Sequence, residues 1–157
     1  CPTPKSCFKN KRDGTVTDII TGLMWQQSSP DTDNDGDVDI DDELVWKDAL
    51  SYCQSCTTAN YKDWRLPNIR ELETIVDLRR YCPNINPIFD LNSYCYWSST
   101  TFKNDIAGAW IVNFCGGKVT KSCKKFGQLV HCVRGKVHEI DFNYIKSMHW
   151  ILLLLYD

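Results

Sequence analysis

From Pro30 to Trp46 the chain reads PDTDNDGDVDIDDELVW, and eight of its 20 acidic residues fall between Asp31 and Glu43. Carboxylates at this density repel one another unless each is fully solvated or a cation sits among them. The spacing favours the cation. Asp31, Asp33, Asp35, Asp39 and Asp42 stand at positions 1, 3, 5, 9 and 12 of an EF-hand-type calcium loop, with Gly36 at position 6 for the sharp turn. Asp37 occupies position 7, where the backbone carbonyl is the ligand, and Val38 follows as an apolar anchor. Hard oxygen donors at alternating positions are what a short loop needs to wrap about six or seven oxygens around one Ca2+. Position 12 is Asp rather than Glu, as in dockerin-type loops, and Glu43 beside it carries a substitute carboxylate. A dockerin would need a second copy of the loop, and the chain has none.

A second cluster is basic. Lys118, Lys121, Lys124 and Lys125 surround Gly116-Gly117, and Arg79-Arg80 form another pair. All 18 Lys and Arg lie outside the acidic stretch together with 12 acids, so the net charge of −2 divides into a loop of −8 and a body of +6. Lysine clusters are common as solvated faces, but a basic body is also suited to an acidic polymer, so a glycan or other surface polyanion is the expected ligand. Nothing in the sequence marks a nucleic-acid partner.

The nine cysteines, at 1, 7, 53, 56, 82, 95, 115, 123 and 132, exceed what a reducing compartment ordinarily tolerates and point to an extracellular or surface location. An odd number fits either a lipid-anchored Cys1, which would leave eight for pairing, or a cropped or processed N-terminus with one free thiol. Cys53-Gln-Ser-Cys56 lacks a second pair at zinc spacing, and His131, His138 and His149 form no metal-binding pattern. The same C-x-x-C follows a predicted helix instead of opening one, so it lacks the dipole that would activate a thioredoxin-like thiol. Structural disulfides are the expected use. Outside the acidic loop no paired carboxylates, no Ser-His-Asp order and no Cys-His pairing stand out, so the chain is not expected to be an enzyme.

The elements that must position these residues are mixed. A strand from Gly14, a turn around Asp18 to Gly22 and a strand at Leu23 to Trp25 precede the acidic loop. Trp46, Ala49, Leu50 and Cys53 recur at helical spacing. Asn68 caps a second helix with Glu71 three residues on and Ile69, Leu72, Ile75 and Val76 as its apolar stripe, predicted to end near Arg80. Beyond Cys82, residues 94–102, 109–114 and 129–134 have strand composition, with Gly116-Gly117 as a turn. Helices first and an antiparallel sheet afterwards describe an α+β domain without internal repeats. No run reaches the roughly 20 apolar residues that span a bilayer, although Trp150 to Tyr156 is strongly apolar.

The series GTVTDIITGLMWQ (14–26), WKDALSYC (46–53), DWRLPNIRELETIVD (63–77), PNINPIF (83–89), YWSSTTF (96–102), AWIVNF (109–114) and CVRG (132–135) resembles the extracellular bacterial domain named after the C-terminal domain of the Legionella collagen-like adhesin. The resemblance runs over roughly residues 12–135 in the family's order, with DWRLPN followed by YWSST its most distinctive part. It implies a C-type-lectin-like α+β domain of two helices packed on a short-stranded antiparallel sheet, with adhesion as its role. In the adhesin that domain trimerises and binds sulfated glycosaminoglycans through basic surface. The family offers no catalytic motif. Two stretches depart from its pattern: the acidic loop at 31–42, read as an insertion into a domain of residues 1–135, and the extension 136–157.

The C-type-lectin-like pattern further implies a disulfide from the first helix to the last strand, Cys53 with Cys132. Short separations suggest Cys82 with Cys95 and Cys115 with Cys123. Trp25, Trp46, Trp64, Trp97 and Trp110 sit in the family motifs among apolar neighbours and are expected in the core. The reading is therefore a calcium-stabilised, disulfide-bonded binding module of the bacterial surface. The alternative is a structural subunit that forms homo-oligomers or a fibre through the apolar tail.

Overall fold

The computed structural model describes residues 7–92 and 94–136. Cys1 and the apolar extension from residue 137 onward, on which the anchoring and fibre expectations rest, lie outside the described residues.

Three short strands open the chain: β1 (Phe8–Asn10), β2 (Thr15–Asp18) and β3 (Met24–Gln26). The turn between β2 and β3 is built by Asp18, whose carboxylate accepts from Ile20 N at 2.9 Å and from the Thr21 hydroxyl at 2.6 Å. The acidic loop leads through β4 (Leu44–Val45) into α1 (Trp46–Ser55). Next comes α2 (Ile69–Thr74), followed by β5 (Cys95–Thr101), β6 (Gly108–Asn113), β7 (Lys118–Cys123), β8 (Gly127–Gln128) and β9 (Val133–Arg134). The strands pair antiparallel as three sheets, in the orders β1-β2-β3-β9, β4-β8 and β5-β6-β7. The first of these draws the early strands and the last strand together. The described residues thus form a mixed domain, mostly sheet, with two α-helices and two disulfides among them.

Alternation along β5 and β6 explains why the central sheet is buried on both faces. Tyr96 and Val112 join Val16, Leu23, Trp25, Leu72, Ile75 and Phe114 in one apolar cluster. Their neighbours Trp97 and Ile111 point the other way, into a cluster with Ala49, Cys53, Trp64, Leu66 and Val130. Successive side chains of a strand face opposite sides, so β6 serves both cores, Val112 in the first and Ala109 and Ile111 in the second. Trp25, Trp64 and Trp97 are buried as expected, whereas Trp46 and Trp110 are half-buried.

Helix α2 begins where the sequence places it. Asn68 Oδ1 accepts from Glu71 N and Glu71 Oε2 accepts from Asn68 N, both at 2.9 Å, a reciprocal capping box. It ends at Thr74 rather than near Arg80, because Val76 pairs with Ile85 and Asp77 N donates to Asn84 O at 2.9 Å. Those extended contacts outcompete another helical turn, and Leu78, which is 71% exposed, has no apolar face to join.

Cys53 and Cys132 are joined, their Cα atoms 5.6 Å apart across a separation of 79 residues. A closure of that length contributes about 4 to 5 kcal/mol by restricting the unfolded chain. The second bridge corrects the pairing suggested by sequence separation. Cys82 pairs with Cys115, not with Cys95, and Cys115 is not joined to Cys123. The topology gives the reason. Asn84 N donates to Phe114 O, laying the segment after Cys82 against the end of β6. The β6–β7 hairpin meanwhile carries Cys123 back to the far end of the sheet, opposite Gly108.

Candidate functional site

The motifs DWRLPN and CVRG build a clasp rather than a site. Arg65 donates two bonds of 2.7 Å to Glu71 and a third of 2.9 Å to Gly135 O, while Glu71 also caps α2. Arg134 lies 3.7 Å from the centre of the Tyr61 ring and donates to both oxygens of Asp63 at 2.7 and 3.2 Å. Hydrogen bonds from Arg134 hold the Asp63 carboxyl below its usual range. These groups answer one another and leave little for a ligand.

The acidic loop differs. Asp31 accepts from Asn34 N at 2.6 Å and from Gly36 N at 3.1 Å. Asp33 accepts from Asp35 N at 3.2 Å, and Asp35 from Asp37 N at 3.1 Å. Gly36, at φ 103°, adopts the left-handed turn that a residue with a Cβ resists. Successive side-chain turns of this kind coil the backbone so that one carboxylate oxygen from each of Asp31, Asp33 and Asp35 lies within 4.8 Å of the others. Val38 packs on the main apolar cluster, and its carbonyl accepts from the Asn92 amide, which fastens the loop to the body.

Asp39 and Asp42 do something else. Asp39 caps a one-turn 3-10 helix, Ile40–Asp42, and accepts from Asp41 N at 2.7 Å. Asp42 is 1% exposed and turns inward, accepting from the Thr32 backbone, from the Thr32 hydroxyl at 3.0 Å and from Asp39 N at 3.0 Å. Burial raises its pKa, but these bonds outweigh burial and hold the carboxyl below its ordinary value. Asp42 therefore ties the two ends of the loop together instead of joining the three convergent carboxylates. Asp37 and Asp39 line an open cleft beside them with Asp90, Asn92 and Tyr94. Glu43 is half-buried against Gly127, and burial raises its pKa. Asp33 is raised by desolvation and by its neighbours Asp35, Asp42 and Asp31, and Asp37 chiefly by the charge of Asp35. Crowded like charges are the signature of a group that gains from a cation.

The lysines divide as well. Lys118 and Lys125 are exposed. Lys121 lies 3.8 Å from Asp105 and 4.8 Å from the centre of the Phe102 ring, itself edge-on to Trp110. Lys124 stands 3.9 Å over Trp46 and donates to the Thr101 hydroxyl at 2.8 Å, so it is partly a structural side chain. Of the other basic pair, Arg79 is clamped on Asp77 at 2.9 and 3.0 Å. Sequence reasoning missed the lysine–aromatic surface because strand β7 itself was not expected: Lys118, Lys121 and Ser122 dilute the strand-forming Val119 and Thr120, and pairing with β6 imposes the conformation.

The profile of the Lcl C-terminal domain matches residues 14–134. No curated protein matches the chain.

Proposed function

The chain belongs to the Lcl C-terminal domain family, and from that membership, together with the two disulfides and the two unlike charged surfaces, we infer that it is an adhesion module of the bacterial surface or of secreted material. Its fold is C-type-lectin-like in this reading, supported by the bridge from α1 to the residue preceding β9 and by the pairing of β3 with β9. Among the described residues no helix is long and apolar enough to cross a membrane.

Ca2+ is the proposed cofactor, and its role is to hold the loop. The observation that carries this is the convergence of Asp31, Asp33 and Asp35 about the Gly36 turn. These three carboxylates and the Asp37 carbonyl are oxygen donors of the kind calcium prefers, while Asp39 and Asp42 shape the loop around them. Magnesium, which demands a tighter octahedron, substitutes poorly. Thermal melting in calcium and in chelator, with calorimetric titration of the ion, tests the proposal. A melting temperature unchanged by chelation, with no heat of binding, leaves only a solvated acidic loop.

The ligand in this reading is a sulfated or otherwise acidic glycan held by Lys118, Lys121 and Lys125, with Lys124 contributing charge from its place over Trp46. Exposed charges are screened beyond about 8 Å at physiological salt, so retention on immobilised heparin should fall steeply as salt rises. Equal retention of the wild type and a variant with all four lysines replaced by Ser rejects this surface.

A further inference from the structure

Strand β7 lies at the end of the β5-β6-β7 sheet, and among the described residues no strand pairs with its outer side. Lys124 N donates to Ala107 O at 2.8 Å, one step beyond the Gly108–Cys123 pair, which sets the phase of the ladder. Residues of an antiparallel pair alternate between those that exchange bonds with the partner and those that do not. Lys118, Thr120 and Ser122 therefore face β6, and the N–H and C=O groups of Val119 and Lys121 point outward. The outer side is a ready template for one more strand.

The side chains decide which strand fits. Lys118 through Lys121 are exposed, Lys125 is exposed beyond the turn, and Phe126 is 64% exposed. Val119 and Lys121 share a face with Trp110, which stands opposite Lys121 on β6. The acid that answers this edge is Asp105, itself half-exposed and 3.8 Å from Lys121. A second copy fits badly, because two β7 strands side by side each carry Lys118 and Lys121 and no acid, so their like charges repel in any register. An acidic strand reverses that sign.

We propose that the outer edge of β7 receives an extended acidic peptide segment as an added antiparallel or parallel strand. On one face a carboxylate of the incoming strand meets Lys121 and an apolar side chain lies beside Val119, and on the other face a carboxylate meets Lys118. Main-chain hydrogen bonds supply affinity and the alternating side chains supply selection, as in other cases of strand addition. The partner is a protein, so the proposal goes beyond the glycan reading, although the two use some of the same lysines.

The test is calorimetric titration of the full chain with a short capped peptide repeating Glu-Glu-Val-Val, which sets acidic and apolar side chains in turn on each face. A companion peptide carries N-methyl groups on the nitrogens of one edge and on those of the other in turn. Methylation keeps every charge and removes the donors, so methylation of the edge that faces β7 should weaken binding by about tenfold or more, the loss of one or two hydrogen bonds at about 1 kcal/mol each. Val119→Pro removes an outward N–H while keeping all four lysines and all bonds to β6. It should lose the peptide to a similar degree and keep its retention on heparin. Equal binding of methylated and unmethylated peptides, equal binding by Val119→Pro and wild type, or no binding of the peptide at all overturns the proposal. If Val119→Pro fails to fold, the methylated peptides on wild type still decide. Failure of the wild type itself to be retained on heparin, with strand addition intact, would instead remove the glycan reading alone.

Discussion

Arg65 meets Glu71 through two hydrogen bonds of 2.7 Å, and Arg134 meets Asp63 in the same manner. Between Asp31 and Glu43, by contrast, no Lys, Arg or His among the described residues forms an ion pair with any of eight carboxylates. In the clasp the acid is held low in pKa by its partner, as at Asp63, whereas in the loop Asp33 is held high by desolvation and Asp37 by the charge of Asp35. Charges that are answered from within the chain are architecture. Charges left without an ion pair, on a backbone coiled to bring three of them together, are where the proposed Ca2+ would bind.

The sharpest way to test the first half of that contrast is to break the clasp. Glu71 has a side chain only 6% exposed, against 38% for Arg65, so Glu71→Ala strands a partly buried guanidinium and uncaps α2 at once. The expected loss is about 3 kcal/mol, seen as a fall of roughly 10 °C in melting temperature that is the same with calcium and with chelator. A loss confined to chelator would mean that the clasp depends on the loop, and the two regions would have to be treated as one.

The loop variants should behave oppositely. With calcium at about 100 times its dissociation constant, linkage adds about 2.7 kcal/mol to the wild type, and Asp31→Ala with Asp35→Ala forfeits it. In chelator the same variant should melt at or above the wild type, because two like charges have gone. Melting curves of both proteins in both conditions read the crossing directly, and a variant that loses equally in each would make these carboxylates structural in the manner of Asp42.

Acid separates a third kind of charge from the other two. His131 is completely buried, stacked 5.6 Å from Trp25, and neither ring nitrogen has a hydrogen-bond partner among the described residues. Burial pushes its pKa down to about 3 from an unfolded value of 6.5. The folded state therefore favours the neutral ring: its contribution is whole above pH 6.5 and is lost progressively as the pH falls toward the folded value. Between pH 7 and 5 the loss should be about 2 kcal/mol. Asp63 and Asp42, held low, keep their contributions through this range and give them up only in stronger acid. Denaturant melts across this range should show a slope in the wild type that is absent in His131→Leu.

Much of this was legible in residue types whose partners are close in sequence. Asn68 and Glu71 announce a cap three residues apart, Gly36 announces its turn, and Val38 its apolar anchor, because local backbone geometry alone dictates them. The rest depends on what is brought alongside. The end of α2 is set by Ile85, the partner of Cys82 by the course of residues 82–86 against β6, and the strand character of β7 by the ladder to β6. Asp42 is the instructive case within the candidate site. Its spacing fits a ligand, yet its carboxylate is occupied by the Asp39 amide, in a local capping box, and by the Thr32 amide ten residues away, which no spacing rule registers.

The smallest effect concerns the lysines, which spacing alone would treat as equivalent surface charges. Lys124 lies over the half-buried Trp46 ring at 3.9 Å and bonds Thr101, joining the β7–β8 turn to the start of α1 and the end of β5. Lys124→Ser should therefore cost about 1 kcal/mol, combining a cation–π contact and one hydrogen bond. Lys118→Ser and Lys125→Ser remove exposed charges and should change stability by less than about 0.5 kcal/mol. On immobilised heparin the ranking should differ, each of the three reducing the salt needed for elution by a similar step. Such a result would place Lys124 on both sides of the comparison, answered within the chain by an aromatic face and still available as charge to an acidic ligand. If Lys124→Ser leaves both stability and elution untouched, the contact with Trp46 is incidental and the basic surface shrinks to Lys118, Lys121 and Lys125.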